Sequence, residues 1–257
     1  MNFEELGLCK EIISSINEKG YENPTEIQRI AIPHILTGRD LLGCAQTGTG
    51  KTGSFVMPLA EILSSGKSKS RMPRSLILAP TRELAMQVAE EFNFINKFLK
   101  LQMALLIGGV SFTEQDNKLA KGVDVLVATP GRLIDHIERG NVIIKDVKIL
   151  IIDEADRMLD MGFIPDIMKI NKLLPKIRQT LFFSATLSSE IRKIGKNLLI
   201  NPKEITISPY SSTSSNIDSY FFQSCNKNKL DDLEILLDIG SFSSAIIFCN
   251  KKNDIDK

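Results

Sequence analysis

The stretch Ala45-Gln46-Thr47-Gly48-Thr49-Gly50-Lys51-Thr52 holds residue types suited to one task, the handling of a polyphosphate. A glycine-rich turn between a strand and a helix leaves backbone N–H groups unpaired and facing one concavity, and the positive end of the helix dipole adds to them. Lys51 is placed to reach β- and γ-phosphates, and Thr52 offers a hydroxyl to Mg²⁺. The general pattern G-x-x-x-x-G-K-[ST] opens on glycine, where this chain has Ala45. Phosphoryl transfer to water further needs a carboxylate for the metal and a group that orients or deprotonates the water. Asp153 and Glu154 end the apolar run Ile149–Ile152. Asp153 would hold Mg²⁺ or one of its waters opposite Thr52. Adjacent strand residues project differently, so Glu154 can face the attacking water as general base. An acidic surface turn would read the same way, but the Gly-Lys-Thr elsewhere in the chain favours the catalytic reading.

Other residues suit the rest of a nucleotide or a polyanion. Thr25 and Gln28 have capping-box spacing, which by itself only closes a helix N-terminus. Seventeen residues before a phosphate loop, the Gln28 amide also offers the donor and acceptor that an adenine edge presents. Thr129-Pro130-Gly131 starts a helix with an early proline and presents N–H groups to a phosphate, while Arg132 adds charge. Pro80-Thr81-Arg82 repeats the device, and Gly108-Gly109 lets one backbone approach another. Each alone is a plain helix cap or turn; together along one sheet edge they form a track for a sugar–phosphate backbone, read without sequence.

Positioning these groups requires strands that all end at one edge. Apolar runs at 41–44, 75–79, 104–107, 124–128, 149–152 and 180–183 alternate with helical patterns at 55–63, 82–98 and 189–199, and with helix starts at 111 and 129. That alternation predicts α/β architecture, a parallel sheet with helices on both faces. Each polar motif directly follows a strand, at the carboxyl edge where open α/β sheets bind ligands. Residues 4–19 read as a helix stopped by Gly20, and Ser111 with Glu114 as a capping box. Residues 64–74 carry Lys67, Lys69, Arg71 and Arg74 without an acid and read as a solvated loop in preference to an RNA contact.

The bounds are those of a soluble chain. It has 257 residues, 43% hydrophobic and 25% charged, with a net charge of +1, so nucleic-acid contacts must come from local placement of Lys and Arg. Its four cysteines are scattered without a C-x-x-C pair, which suggests reduced thiols, and neither a signal peptide nor a spanning apolar run is apparent. Cytoplasm is the default expectation, as a monomer with no membrane partner. The Ser/Thr-rich 209–216 reads as a linker after a domain at 1–208. A strand (217–223), a helix (230–237) and a strand (245–248) follow, the incomplete start of a second domain.

With these residues in view, the chain resembles the DEAD-box RNA helicases. Phe3 lies seventeen residues before Gly20, the spacing of the isolated aromatic in that family's Q motif, and the motif's body continues through Gln28. AQTGTGKT (45–52), PTRELA (80–85), GG (108–109), TPGR (129–132), DEAD (153–156) and SAT (184–186) follow in the family's order, and the family's own loop has alanine at the position of Ala45. The tail 245–252 resembles the first conserved strand of a second RecA-like domain. The resemblance implies a RecA-like P-loop NTPase fold and an ATP- and Mg²⁺-dependent enzyme that remodels RNA duplexes or RNA–protein complexes. It implies that Phe3 stacks on adenine, that Gln28 reads its edge, and that Asp156, Ser184 and Thr186 link nucleotide to RNA. It also places the arginines that stabilise the transition state beyond residue 257, so the chain as given is expected to bind ATP and RNA weakly, to hydrolyse slowly and not to unwind. A non-enzymatic nucleotide- or RNA-binding fragment and a DNA helicase are the competing readings.

Overall fold

The computed structural model describes residues 2–207, 220–224, 229–240 and 242–248. Short apolar runs form β1 (Leu41–Cys44), β2 (Ser75–Leu78), β3 (Met103–Leu106), β4 (Val125–Ala128) and β5 (Ile149–Ile152), joined by β6 (Gln179–Ser184) and β7 (Lys203–Thr206). They make one seven-stranded sheet in the order β3-β4-β2-β5-β6-β1-β7, with every neighbouring pair parallel. A parallel sheet needs cover on both faces because each strand is apolar on both. Ile149 and Ile151 of β5 accordingly belong to one core cluster, Leu150 and Ile152 to the other.

The first cluster is covered by α1 (Lys10–Glu18), α2 (Glu26–Leu36), α3 (Lys51–Leu63) and α4 (Arg82–Ile95). The second is covered by α5 (Phe112–Ala120), α6 (Pro130–Glu138), α7 (Ala155–Asp160), α8 (Ile164–Leu173) and α9 (Ser189–Leu198). The fold is α/β, a parallel sheet with helices on both faces, as the sequence pattern predicts. Among the described residues no helix is long and apolar enough to cross a membrane.

Several expectations need correction. The helix expected over 4–19 is broken: a 3-10 turn at Glu4–Leu6 stops at Gly7, whose φ of 82° a continuing helix does not allow, and α1 starts only at Lys10. Ser111 caps nothing with its side chain; its carbonyl accepts from the Gln115 N–H at 3.4 Å instead. β7 escaped the pattern because, as an edge strand, it buries only Ile205 well, and four residues carry too little alternation to read.

The chain divides into two compact units, Met1–Pro209 and Tyr210–Lys257. In the second, α10 (Lys229–Ile239) matches the expected helix. The described residues 220–224 and 242–248 form no strand, against the expectation for 217–223 and 245–248, because a strand needs a ladder partner and no described segment of this unit supplies one. Residues 217–219 and the expected linker 209–216 lie outside the described residues.

The strand feeding the phosphate loop is set by close packing. Gly43 pairs with Phe183 of β6, and a Cβ on Gly43 would sit 2.6 Å from the Phe183 ring, which in turn packs on Phe55 at 5.3 Å between centroids. Gly43→Ala is expected to destabilise the first unit by about 1–3 kcal/mol through overpacking. Urea denaturation measures this, and an unchanged midpoint would contradict the packing argument.

Candidate active site

The loop leaving β1 turns back through Gly48 and Gly50, at φ 85° and 86°, and delivers Lys51 as the first residue of α3. A Cβ on Gly50 would meet Thr25 Oγ1 and Gln28 Nε2, each at 2.7 Å, so the loop presses against the start of α2. Both halves of the capping box form there. Gln28 Oε1 accepts from the Thr25 N–H at 3.0 Å, and Gln28 Nε2 donates to the Gly50 carbonyl at 3.1 Å. The cap and the loop anchor are therefore one side chain. Ala45 is buried at the head of the loop and donates its N–H to the Ser184 carbonyl at 3.0 Å, with no demand for positive φ.

Asp153 reaches the same place from β5, although β6 lies between β5 and β1. Lys51 Nζ is 3.0 Å from Asp153 Oδ1, with both side chains over nine-tenths buried. Beyond this ion pair, no acceptor among the described residues takes a hydrogen bond from that ammonium. Burial pushes the Asp153 carboxyl above its usual range, and the Lys51 charge pulls against it. Glu154 follows in the left-handed region, at φ 54°, which few non-glycine residues adopt and which turns its side chain away from that of Asp153. Its N–H donates to Asp153 Oδ1 at 2.9 Å. Burial raises the Glu154 carboxyl as well, again against the Lys51 charge.

These groups border a cavity of about 350 Å³, which Thr47, Gly48, Gly50 and Thr52 line together with Lys51, Asp153 and Glu154. Tyr21, part of the Q-motif body but given no role from the sequence, and Glu91, not singled out there, line it too. Glu91 pairs with Lys19, and Lys19 sits over the Tyr21 ring at 5.1 Å. Phe3 packs in the core cluster with Leu6 and Ile12, 5% exposed, and is not among the residues that line the cavity. Gln46 and Thr49 shape the loop, where Thr49 Oγ1 donates to the Gln46 carbonyl at 2.7 Å. A buried ammonium with no acceptor beyond Asp153, a loop left without side chains at Gly48 and Gly50, and a hydroxyl and two carboxylates lining one cavity fit a polyphosphate with Mg²⁺. That cation takes one or two protein oxygens and shares the phosphates.

A family model described as DEAD/DEAH box helicase matches residues 25–194. The chain belongs to that family. It is 40% identical over 255 residues to the DEAD-box ATP-dependent RNA helicase CshA of Bacillus cereus, covering 99% of this chain and 48% of that protein. It is 43% identical over 252 residues to the ATP-dependent RNA helicase DeaD of Buchnera aphidicola, covering 98% of this chain and 41% of that one. The crystal structure of a hypothetical ATP-dependent RNA helicase from Sulfolobus tokodaii matches with a TM-score of 0.71 and 37% identity, over 77% of this chain and 57% of that one. The chain spans about half the length of the curated relatives it matches.

The remaining DEAD-box motifs meet along the same edge. Asp156 Oδ2 accepts from Ala185 N–H (3.1 Å), Thr186 N–H (3.0 Å) and Thr186 Oγ1 (3.2 Å), and Ser184 Oγ accepts from Thr186 N–H at 3.4 Å. The turns after β5 and β6 are thus bonded together. Pro130 opens α6 after Thr129, and Thr81 Oγ1 caps α4 by accepting from Leu84 N–H at 3.3 Å, next to Pro80. Arg82 Nη1 donates to the Gly108 carbonyl at 3.3 Å and lies where a Cβ on Gly109 (φ 80°) would be, while Gly131 lies within α6. Arg132 Nη2 donates to the Val110 carbonyl at 2.5 Å, and its guanidinium lies 3.2 Å from the Phe112 ring centroid.

Sequence reasoning missed the group that joins these two arginine motifs. Gln115 is buried, donates through Nε2 to the carbonyls of Ile107 (3.2 Å) and Val110 (3.3 Å), and offers Oε1 to Arg132 Nε (3.4 Å) and His136 Nε2 (3.3 Å). The only signal was a lone glutamine inside a polar helix, which says nothing until the turn folds over it.

Lys51→Ala would leave the Asp153 carboxylate buried beside no cation, a loss of about 3 kcal/mol near neutral pH. Without that cation the folded-state pKa of Asp153 climbs further, so protonation relieves the penalty as pH falls towards it. Urea denaturation of both proteins at about pH 7.5 and about pH 5 should therefore show the deficit shrinking in acid. A pH-independent deficit would argue against the pair.

Proposed function

We propose that this chain is the ATP-handling part of a DEAD-box enzyme that couples ATP hydrolysis to the remodelling of RNA duplexes or RNA–protein complexes. The observation that carries the reading is the meeting of Lys51 and Asp153 over β6 in one lined cavity. Backbone N–H groups from 46–52 and Lys51 bind the phosphates, and Thr52 with Asp153 would hold Mg²⁺, which when bound supplies charge neutralisation at the phosphates. Glu154 orients the attacking water and takes its proton. Gln28 keeps one N–H and one lone pair free of its two bonds, which suffice for an adenine edge. Tyr21, 37% exposed at the cavity, offers the flat ring that the buried Phe3 does not.

Arg82, Gly108, Gly109 and Arg132 form the RNA track, contacting phosphates and sugar without reading bases. Asp156, Ser184 and Thr186 transmit between track and cavity, because a shift of either turn strains the bonds at Asp156 Oδ2. Two free thiols, Cys9 and Cys44, suit action in the reducing cytoplasm.

Glu154→Gln is expected to keep nucleotide binding and to stop hydrolysis, read by a fluorescent-nucleotide titration beside an RNA-stimulated phosphate-release assay. Equal loss of both would remove Glu154 from the base role. A base works deprotonated, so a raised pKa moves the acid limb of the hydrolysis rate above the 4.5 ordinary for glutamate, and the limb should vanish in the variant.

Arginines of a partner domain supply several orders of magnitude in related phosphoryl-transfer sites. None of the family's second-domain arginine motifs lies within these 257 residues. The 257-residue polypeptide should therefore show weak RNA binding, slow hydrolysis and no strand separation. Robust ATP-dependent unwinding by it would refute this, and stimulation by DNA but not RNA would favour a DNA helicase.

A further inference from the structure

The edge of the sheet opposite the motifs, at the amino ends of β2, β3 and β4, holds a second cavity of about 390 Å³. Three separate connections each deliver one lysine to it: Lys67 from the segment between α3 and β2, Lys100 from the turn before β3, and Lys121 from the turn between α5 and β4. None of the three is in an ion pair among the described residues, in contrast to Lys19, Lys97 and Lys169.

The one acid lining this cavity is already neutralised. Asp124 Oδ1 accepts from Arg74 Nε at 2.9 Å with Nη2 equally near, and Oδ2 accepts from the Gln102 N–H at 2.9 Å. Neither 64–74 nor 96–102 contains another acid. The field inside the cavity is therefore that of the lysines.

Residues 64–74 are also more than a solvated loop. Arg74 is buried and donates to the carbonyls of Ser65 (2.6 Å) and Leu63 (2.7 Å), Ser70 Oγ donates to the Ala120 carbonyl at 2.7 Å, and the Arg71 N–H donates to the Leu119 carbonyl at 3.0 Å. The loop that carries Lys67 is tied to the turn that carries Lys121. Such tethering reduces the entropy lost when a polyanion gathers the lysines together.

We propose that this cavity is a second contact for the RNA phosphodiester backbone, engaged by a flanking segment of a strand that already lies on the track at the motif edge. The inference rests on the RNA reading above. Lysines are point charges suited to phosphates, and Phe98, 45% exposed beside the cavity in the turn that delivers Lys100, carries Lys97 over one side of its ring at 5.4 Å and offers the other to a base. That pairing favours RNA over an acidic peptide. The cavity and the track lie at opposite ends of strands four residues long, about 13 Å of rise, so an oligonucleotide just long enough to cover the track has no flanking segment left for the cavity, whereas a longer one does.

The test measures binding of U6 and U20 oligonucleotides to the full 257-residue chain as a function of salt. It compares wild type, the triple variant Lys67→Glu/Lys100→Glu/Lys121→Glu, the milder triple Lys→Gln variant, and Arg82→Ala. Expected are a loss of U20 affinity of about fivefold or more with a salt slope lower by about 2, and unchanged U6 and nucleotide binding. Equal losses for U6 and U20, or no loss for either, overturn the proposal. If Arg82→Ala still weakens both oligonucleotides, the RNA reading survives that failure; if wild type binds neither, both fall. Tighter binding of a polyglutamate peptide than of U20, abolished in the triple variant, would assign the cavity to an acidic protein partner instead. Should the triple variants fail to fold, amide NMR of the wild type decides. U20 should move Gly66 and Gly122 as well as Gly108 and Gly109, and movement of the latter pair alone overturns the second contact.

Discussion

One electrostatic constraint organises this molecule: an ammonium from the turn after β1 and a carboxylate from the end of β5 share a nearly dry position 3.0 Å apart. Neither charge is tolerable there alone, since desolvating an isolated ion costs several kcal/mol even after relaxation. The pair requires that both strands run the same way, end at the same edge, and stand one strand apart. The arch over β6 is short enough because the loop is glycine-rich and because Gln28 clamps its far side. A site built this way is poised for a polyanion. The cation is held in place, its remaining donors face the cavity, and the carboxylate beside it keeps lone pairs to share.

Membership of the DEAD/DEAH box helicases gives these parts a common purpose, and the geometry shows how they bear on one another. Asp156 binds the turn after β6 through three donors, so the strand that carries the carboxylates cannot move independently of its neighbour. Farther along the edge, Arg82 and Arg132 lean on the same 108–110 turn from two helices, and Gln115 ties that turn to α6 from below. Most of these side chains bond backbone carbonyls. That arrangement sets their position by main-chain geometry, with less dependence on neighbouring side chains, and suits a surface that must present charge at fixed spacing.

The two edges of the sheet differ in how their charges are used. At the carboxyl edge, acids and bases are interleaved and partly buried, which shifts their protonation and suits chemistry. At the amino edge around β2 to β4, the acid Asp124 is consumed internally by Arg74, leaving exposed lysines with ordinary hydration. A chain of net charge +1 thereby carries a localised positive region without a global field.

Much of this was legible in the sequence. Six of the seven strands show as apolar runs because a parallel strand buries both faces, and the strand-end motifs follow them directly, so fold class and the grouping of Lys51, Thr52, Asp153 and Glu154 at one sheet edge could be read without coordinates. Local rules failed where contacts distant in sequence decided the outcome. Gly7 broke a helix whose periodicity continued through it, and β7 had too few buried residues to announce itself. Phe3 packs in the core and Tyr21 lines the cavity, a division that periodicity does not report. Only the tertiary structure could show that the Gln28 cap also anchors the loop at Gly50, that Gln115 joins two motifs, and that three lysines from separate connections line one cavity. The physical reason is the same in each case: periodicity reports which face of an element is buried, but an interaction between separate elements exists only once the sheet order has brought them together.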